Sequence, residues 1–127
     1  NSEQTLGFLR ANGVVHTVVD EPQIGSGSVQ TVVAATSPEL SIVRFHGRNR
    51  TTWYNKGGTS GDRFNYLYSR DELAEWLPSL RDLADQSAEV HVLMNNNHAN
   101  YAVVNARDLM DLLGIAPPEP AQGSLFD

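Results

Sequence analysis

The sequence contains no cysteine. Disulfides and thiolate metal sites are therefore excluded, and nothing calls for an oxidising compartment. No apolar run approaches the ~20 residues that a membrane-spanning helix needs. No signal peptide or targeting segment is visible, so the cytosol is the default location. The chain opens with Asn1 rather than Met, and an N-terminal portion is expected to be missing. The phosphate-loop, Rossmann, zinc-peptidase and nucleophile-elbow patterns are absent, and nothing specifies a covalent nucleophile. Cations are also scarce: Lys and Arg number 9 against 15 Asp and Glu, for a net charge of −6.

Those few cations are concentrated. Arg44, Arg48, Arg50, Lys56 and Arg63 fall between Val43 and Arg63, where Asp62 is the one acid. A basic loop on an acidic body suits a focused anion site better than a non-specific coat for DNA. The length of 127 residues fits one domain, and 40% hydrophobic with 19% charged residues is ordinary soluble composition.

Residues 2–13 read as a helix with Ser2 as N-cap and Gly13 as its stop. "VVHTVVD" (14–20) is β-branched and bounded by Gly13 and Pro22, which predicts a strand. Residues 21–41, rich in Gly, Ser and Pro, predict a long loop, with a short extended piece at "TVVAAT" (31–36). "SIVRFHG" (41–47) predicts a second strand, followed by the basic loop with Gly57-Gly58. Ser69 and Glu72 form a capping box. Leu73, Trp76, Leu77, Leu80, Leu83 and Ala84 then keep helical spacing. Pro78 inside this pattern should kink or re-nucleate the helix. "EVHVLMNN" (89–96) predicts a third strand and residues 100–114 a third helix, stopped by Gly114 and the prolines behind it. Residues 115–127 read as an unstructured Pro-rich tail.

Continuously apolar strands alternating with helices indicate an α/β fold with a parallel sheet. Function collects at the carboxyl ends of such strands. Those ends carry Asp20-Glu21, His46-Gly47-Arg48 and Asn95-Asn96-Asn97-His98, all on one rim.

At these residues a resemblance appears. "VRFHGRN", "RFNYLYSRDELAEW" and "VHVLMNNNHANYAVVNARDL", in that order and spacing, resemble the YecE-like family, domain of unknown function 72. The match runs from about residue 2 to 114. The resemblance implies a TIM-type (βα)8 barrel of which residues 1–114 form the C-terminal half, with strands at 14–20, 42–46 and 89–95 as the sixth, seventh and eighth. Three strands cannot close a barrel of eight, so the missing half is expected from the same or another chain. Met94 departs from the aromatic that the family usually carries there, a change in packing. The resemblance leaves the family's chemistry open.

His46 and Asp20 are the candidate catalytic groups. A histidine at a strand end can ligate metal or move a proton near neutral pH. A carboxylate after a strand can be a general base or a metal ligand. The plainer alternatives are a His46 bonded to neighbouring backbone and an Asp20 that makes the turn before Pro22. Arg48 offers a rigid donor fork for phosphate or carboxylate, or is simply solvated. Arg44 is in phase with His46 and opposite to Phe45, so it is expected to point into the barrel, where Asp20 or a ligand would partner it. Asn95 and Asn96 suit a sugar, a base edge or a phosphate ester, or else they cap the next helix. Trp53, beside Arg48 and Arg50, can stack on a ligand or pack the loop. Tyr66 and Tyr68 read as packing. His98 is a weak metal candidate, and His16 and His91 read as structural. A divalent metal is compatible with this rim, but no ligand set is specified.

"QGSLF" resembles the short motif with which bacterial DNA-maintenance proteins dock on the polymerase sliding clamp. Gln122, Ser124, Leu125 and Phe126 match, and Gly123 stands where leucine is common. A mobile segment with two apolar anchors and a register-fixing glutamine suits groove binding. The alternative is a tail whose Leu-Phe packs back on the barrel. These features favour an enzyme acting on a phosphate-containing ligand, foremost nucleic acid, brought to DNA by its tail. A sugar-phosphate isomerase, hydrolase or lyase and a non-catalytic DNA-associated adaptor remain the alternatives. The analogy to metal-dependent apurinic endonucleases on the same barrel rests on fold alone.

Overall fold

A computed structural model of the chain describes residues 2–54 and 59–119. In order it has α1 (Ser2–Ala11), β1 (Thr17–Asp20), a 3₁₀ turn (Gly25–Gly27), β2 (Leu40–Phe45), α2 (Ser60–Arg63), α3 (Arg70–Glu75), α4 (Leu77–Gln86), β3 (Glu89–Met94) and α5 (Tyr101–Leu113). The strands form one parallel sheet in the order β1-β2-β3. No helix among the described residues is long and apolar enough to cross a membrane.

The sheet is the one expected, with shorter strands. β1 begins at Thr17 because the residues before it bond to side chains instead of a ladder. The His16 N–H donates to the Thr36 hydroxyl (2.7 Å), which in turn donates to the Val14 carbonyl (2.8 Å). The expected extended piece at 31–36 is likewise not a strand. It lies against β1 through the Thr31 hydroxyl on the Val19 carbonyl and the His16 ring on the Val32 carbonyl, both 2.8 Å. Side-chain bonds here replace strand pairing.

Register decides which side chains share a face. Val18 lies beside Val43 and Val43 beside Val92, while Asp20 lies beside Phe45 and Phe45 beside Met94. With a period of two, these residues share one face, and Val19, Arg44, His91 and Leu93 share the other. The first face packs on the helices, in a core of Val18, Val43, Phe45, Tyr68, Leu73, Trp76, Leu80, Leu83 and Leu109. Phe45 meets Tyr68 and Trp76 edge-on, at centroid distances of 5.4 and 5.1 Å.

The Ser69–Glu72 capping box forms as expected. Pro78 re-nucleates the helix: α3 ends at Glu75, Trp76 joins the two, and α4 restarts at Leu77 with Pro78 in its first turn. There the missing proline N–H leaves no intrahelical bond unmade. Gly114, at φ 71, ends α5. Its N–H reaches the Asp111 carbonyl and that of Ile115 the Met110 carbonyl, a Schellman motif.

Candidate functional site

The carboxyl ends of the three strands bring Asp20, His46, Arg48, Asn95 and Asn96 to one rim, but the pleat divides them between two sides. Asp20 shares the helix-facing side with Phe45, whereas Arg44 lies opposite. Asp20 therefore does not partner Arg44. It is held by Arg48, whose Nε donates to both Asp20 carboxylate oxygens at 3.1 Å.

Arg48 is the centre of a helix-side network. Its Nη1 donates to Glu72 Oε2 (3.2 Å), which also accepts the Tyr66 hydroxyl (2.7 Å). Its guanidinium lies over the Tyr68 ring, 5.7 Å from the centroid. Asp20 is only 4% exposed. Burial raises its pKa above the ordinary value and outweighs the pull of Arg48. For Glu72 burial also pushes upward, but the Ser69 N–H, the Tyr66 hydroxyl and Arg48 together bring it below its ordinary value. Tyr66 is raised to about 12, by burial first and then by Glu72. Tyr68 is raised as well, by burial and by Asp20.

Gly47 makes the turn that lets His46 and Arg48 serve different sides. Its φ is +93, and a Cβ there would lie 2.8 Å from the Tyr66 Cβ. Its N–H donates to the Tyr68 hydroxyl (2.8 Å). Only glycine fits both the dihedral and the space.

The other side of the sheet is more sparsely partnered. Arg44 has no ion pair among the described residues; its Nε reaches the Asn95 Oδ1 at 3.5 Å. His46 is half-buried, stacks against Phe64 at 5.7 Å, and has a buried Nδ1 with no hydrogen-bond partner. Burial and then Arg44 hold its pKa below the ordinary value, against an opposing effect of Glu21. The downward direction, from an ordinary value already below 7, favours the neutral imidazole at pH 7.

Asn96 separates from Asn95. It is fully buried, and its amide donates to the Tyr66 carbonyl (2.9 Å) and to the Asn105 Oδ1 (2.8 Å). Asn105 in turn accepts from the Tyr68 N–H (3.0 Å) and donates to the Tyr68 carbonyl (2.9 Å). Neither Asn95 nor Asn96 caps α5, whose N-cap is Asn100. Trp53 is 8% exposed, packed edge-on against Phe64, with the Arg63 guanidinium 5.4 Å from its ring centre. His98 is exposed beside Tyr101, and His91 pairs with Glu89 on the surface (3.0 Å). Asp20, Glu21, Arg48 and Arg50, with Trp76, line a hollow of about 340 Å³ on the helix side of the rim. Among the described residues, no three His, Asp or Glu side chains are grouped to hold a metal ion. Lys56, Gly57-Gly58, Gln122, Leu125 and Phe126 lie outside the described residues.

Sequence reasoning missed Asn105 and the second use of Glu72. Asn105 stands in line with Leu109 and Leu112 on α5, a polar residue in an apolar stripe, and that was its signal. Glu72 announces itself as a capping residue, and nothing local shows that its other oxygen takes Arg48 and Tyr66.

The family described as "Protein of unknown function DUF72" matches residues 1–124. The UPF0759 protein YunF of Bacillus subtilis is 44% identical over 116 residues, which cover 89% of this chain and 41% of that protein. A DUF72 protein of Enterococcus faecalis superimposes with a TM-score of 0.86 at 31% identity, over 97% of this chain and 46% of its own. One from Thermotoga maritima gives 0.80 at 32%, over 87% and 41%. The chain thus spans less than half the length of these relatives. With three parallel strands, helices on one side, and neighbours at these scores and identities, the chain belongs to the DUF72 family and forms part of its TIM-type barrel.

Proposed function

We propose that the inner rim of the barrel binds a compact phosphate-containing ligand and that the whole protein is an enzyme acting on it. Arg44 and Asn95 hold the anionic group, and His46 exchanges a proton with the ligand. The observation that carries this reading is Arg44, a half-buried guanidinium without a carboxylate partner among the described residues, on the face that a closed barrel turns inward. His46, kept neutral by burial and by Arg44, supplies the acceptor nitrogen that a general base requires. Asp20 and Arg48 neutralise one another behind this face and fix the turn through which His46 is presented. A divalent metal at this rim would need further ligands from strands beyond these three.

Nucleic acid draws less support from the geometry than a compact ester does. Trp53 is buried under Arg63, and Arg48 is committed to two carboxylates, which leaves Arg50 and Arg63 as the exposed cations of the described basic loop, the second of them lying over the Trp53 ring. Docking on a sliding clamp through Gln122, Leu125 and Phe126 is a separate part of the proposal, supported by the motif match alone.

The test uses the protein with its complete barrel. Binding of inorganic phosphate, ribose 5-phosphate and a short single-stranded oligodeoxynucleotide is measured at two salt concentrations, with and without Mg²⁺, for wild type and Arg44→Ala. The phosphate ester should bind, with loss of at least tenfold affinity in Arg44→Ala. Tight oligonucleotide binding with a steep salt slope, unchanged in Arg44→Ala, would overturn the reading.

A further inference from the structure

We infer that the apolar groove between α4 and α5 is the seat of this chain's own tail, with Leu125 and Phe126 as the side chains that fill it. The groove has a physical origin. Arg70 ties α3 to α5 through Asp108 (3.2 Å) and Asp111 (2.6 Å), and α4 restarts beyond the break at Trp76 without such a tie to α5 among the described ion pairs. Between them, over β3, opens a cavity of about 380 Å³. Leu80, Val92, Met94, Leu109, Met110 and Ile115 are among the side chains that line it. Val92 and Met94 are left half-buried on the side of the sheet where Val43 is fully covered. The cavity has the size and apolar lining of a site for an apolar ligand.

Three observations point to the tail as occupant. First, the Schellman motif at Gly114 turns the chain back so that Ile115, 51% exposed, itself lines the groove. The chain leaves α5 at the mouth of the cavity. Second, the reach is sufficient. Leu125 is six residues beyond Glu119, about 20 Å of extended chain, whereas β3 from Val90 to Met94 is about 13 Å long. Third, charge agrees. Arg81 lines the groove, and Arg107 lines an adjoining hollow with Met110, Asp111, Ile115 and Pro117. The tail carries Glu119 and Asp127 on either side of its apolar pair, and no cation. Among the described side chains that line the two hollows, Asp111 is the one acid, and it is held by Arg70.

The two methionines of the sequence, Met94 and Met110, both line the groove, and the sequence has no cysteine. A nitroxide on Ser124→Cys, with methyl-labelled methionine, therefore reads the contact directly in the complete barrel. Any cysteine outside this sequence is replaced beforehand, and the signals are assigned with Met94→Leu and Met110→Leu. Both methyl signals should broaden and recover when the nitroxide is reduced, and adding Leu125→Ala with Phe126→Ala should abolish the broadening. Unaffected signals would overturn the inference. So would broadening that survives the double substitution, which would reflect the tether alone. Broadening that appears on mixing methyl-labelled with separately spin-labelled protein would assign the groove to a second copy.

Discussion

Arg48 places its Nε 3.1 Å from both oxygens of Asp20 on the helix side of the sheet, while Arg44, four residues earlier, lies on the opposite face without an ion pair among the described residues. Two arginines of one short basic stretch thus do different work. One is tied into the fold by two carboxylates, and the other is the residue proposed to hold a ligand.

The first prediction separates them. Arg48→Ala leaves Asp20 buried without its partner and should cost about 2–3 kcal/mol. Arg44→Ala should cost less than about 1 kcal/mol, since it removes a long bond from a half-buried side chain. Denaturant unfolding of the two variants checks this, and equal losses would refute the division of roles.

Gly47→Ala tests the turn between them. The positive φ alone should cost about 1–3 kcal/mol, and the new Cβ must also displace Tyr66 from 2.8 Å. Gly13 has a comparable φ of +65 but open space around its Cβ position. Gly13→Ala should therefore lose only about 1 kcal/mol. Thermal unfolding of both gives the comparison, which fails if Gly13→Ala is as damaging as Gly47→Ala.

How much of this was legible in sequence follows from what is local. The Ser69–Glu72 cap, the re-nucleation at Pro78 and the stop at Gly114 depend on neighbours a few residues away, and all three could be read. The opposition of Arg44 to Phe45 is also local. Partner choice at the rim was not legible. It depends on strand register, which sets Asp20 beside Phe45 rather than beside Arg44, and on the φ of Gly47, which turns Arg48 to the helix side. Asn95 and Asn96 are identical neighbours in sequence, yet one meets Arg44 and the other is fully buried against Asn105.

Asn105 carries a prediction of its own. It satisfies the Tyr68 N–H, the Tyr68 carbonyl and the Asn96 amide. Asn105→Leu keeps the volume but strands those groups. At about 1–3 kcal/mol for a buried polar group left unmet, the loss should reach about 3 kcal/mol or more. Val103→Ala, on the exposed side of the same helix, should stay within about 0.5 kcal/mol. Urea midpoints that fall together would show that the Asn105 bridge does not stabilise the fold.

Tyr66 sets an alkaline limit. Its folded pKa of about 12 lies above the ordinary 10. A tyrosine raised in this way contributes its stability fully below pH 10 and loses it as pH climbs towards 12. Tyr68 is shifted in the same direction. Unfolding free energy should therefore fall through this window, and less steeply in Tyr66→Phe. Identical slopes in wild type and variant would show that the hydroxyl's bond to Glu72 carries no such linkage.

Leu125 and Phe126 cannot fill the groove and a site on the clamp at the same time. If the tail rests in its own groove, the clamp sees only the released fraction, and its apparent affinity is reduced by that fraction. Filling the groove should then strengthen docking. Ala84 is exposed and lines the cavity, so Ala84→Phe can occupy it with little disturbance to the core. Clamp binding by the complete protein should tighten severalfold in Ala84→Phe and disappear in the Leu125→Ala, Phe126→Ala variant. Equal affinity in wild type and Ala84→Phe would show that the groove does not compete for the tail. Binding by neither would end the clamp reading, while the methyl signals of Met94 and Met110 would still decide the groove.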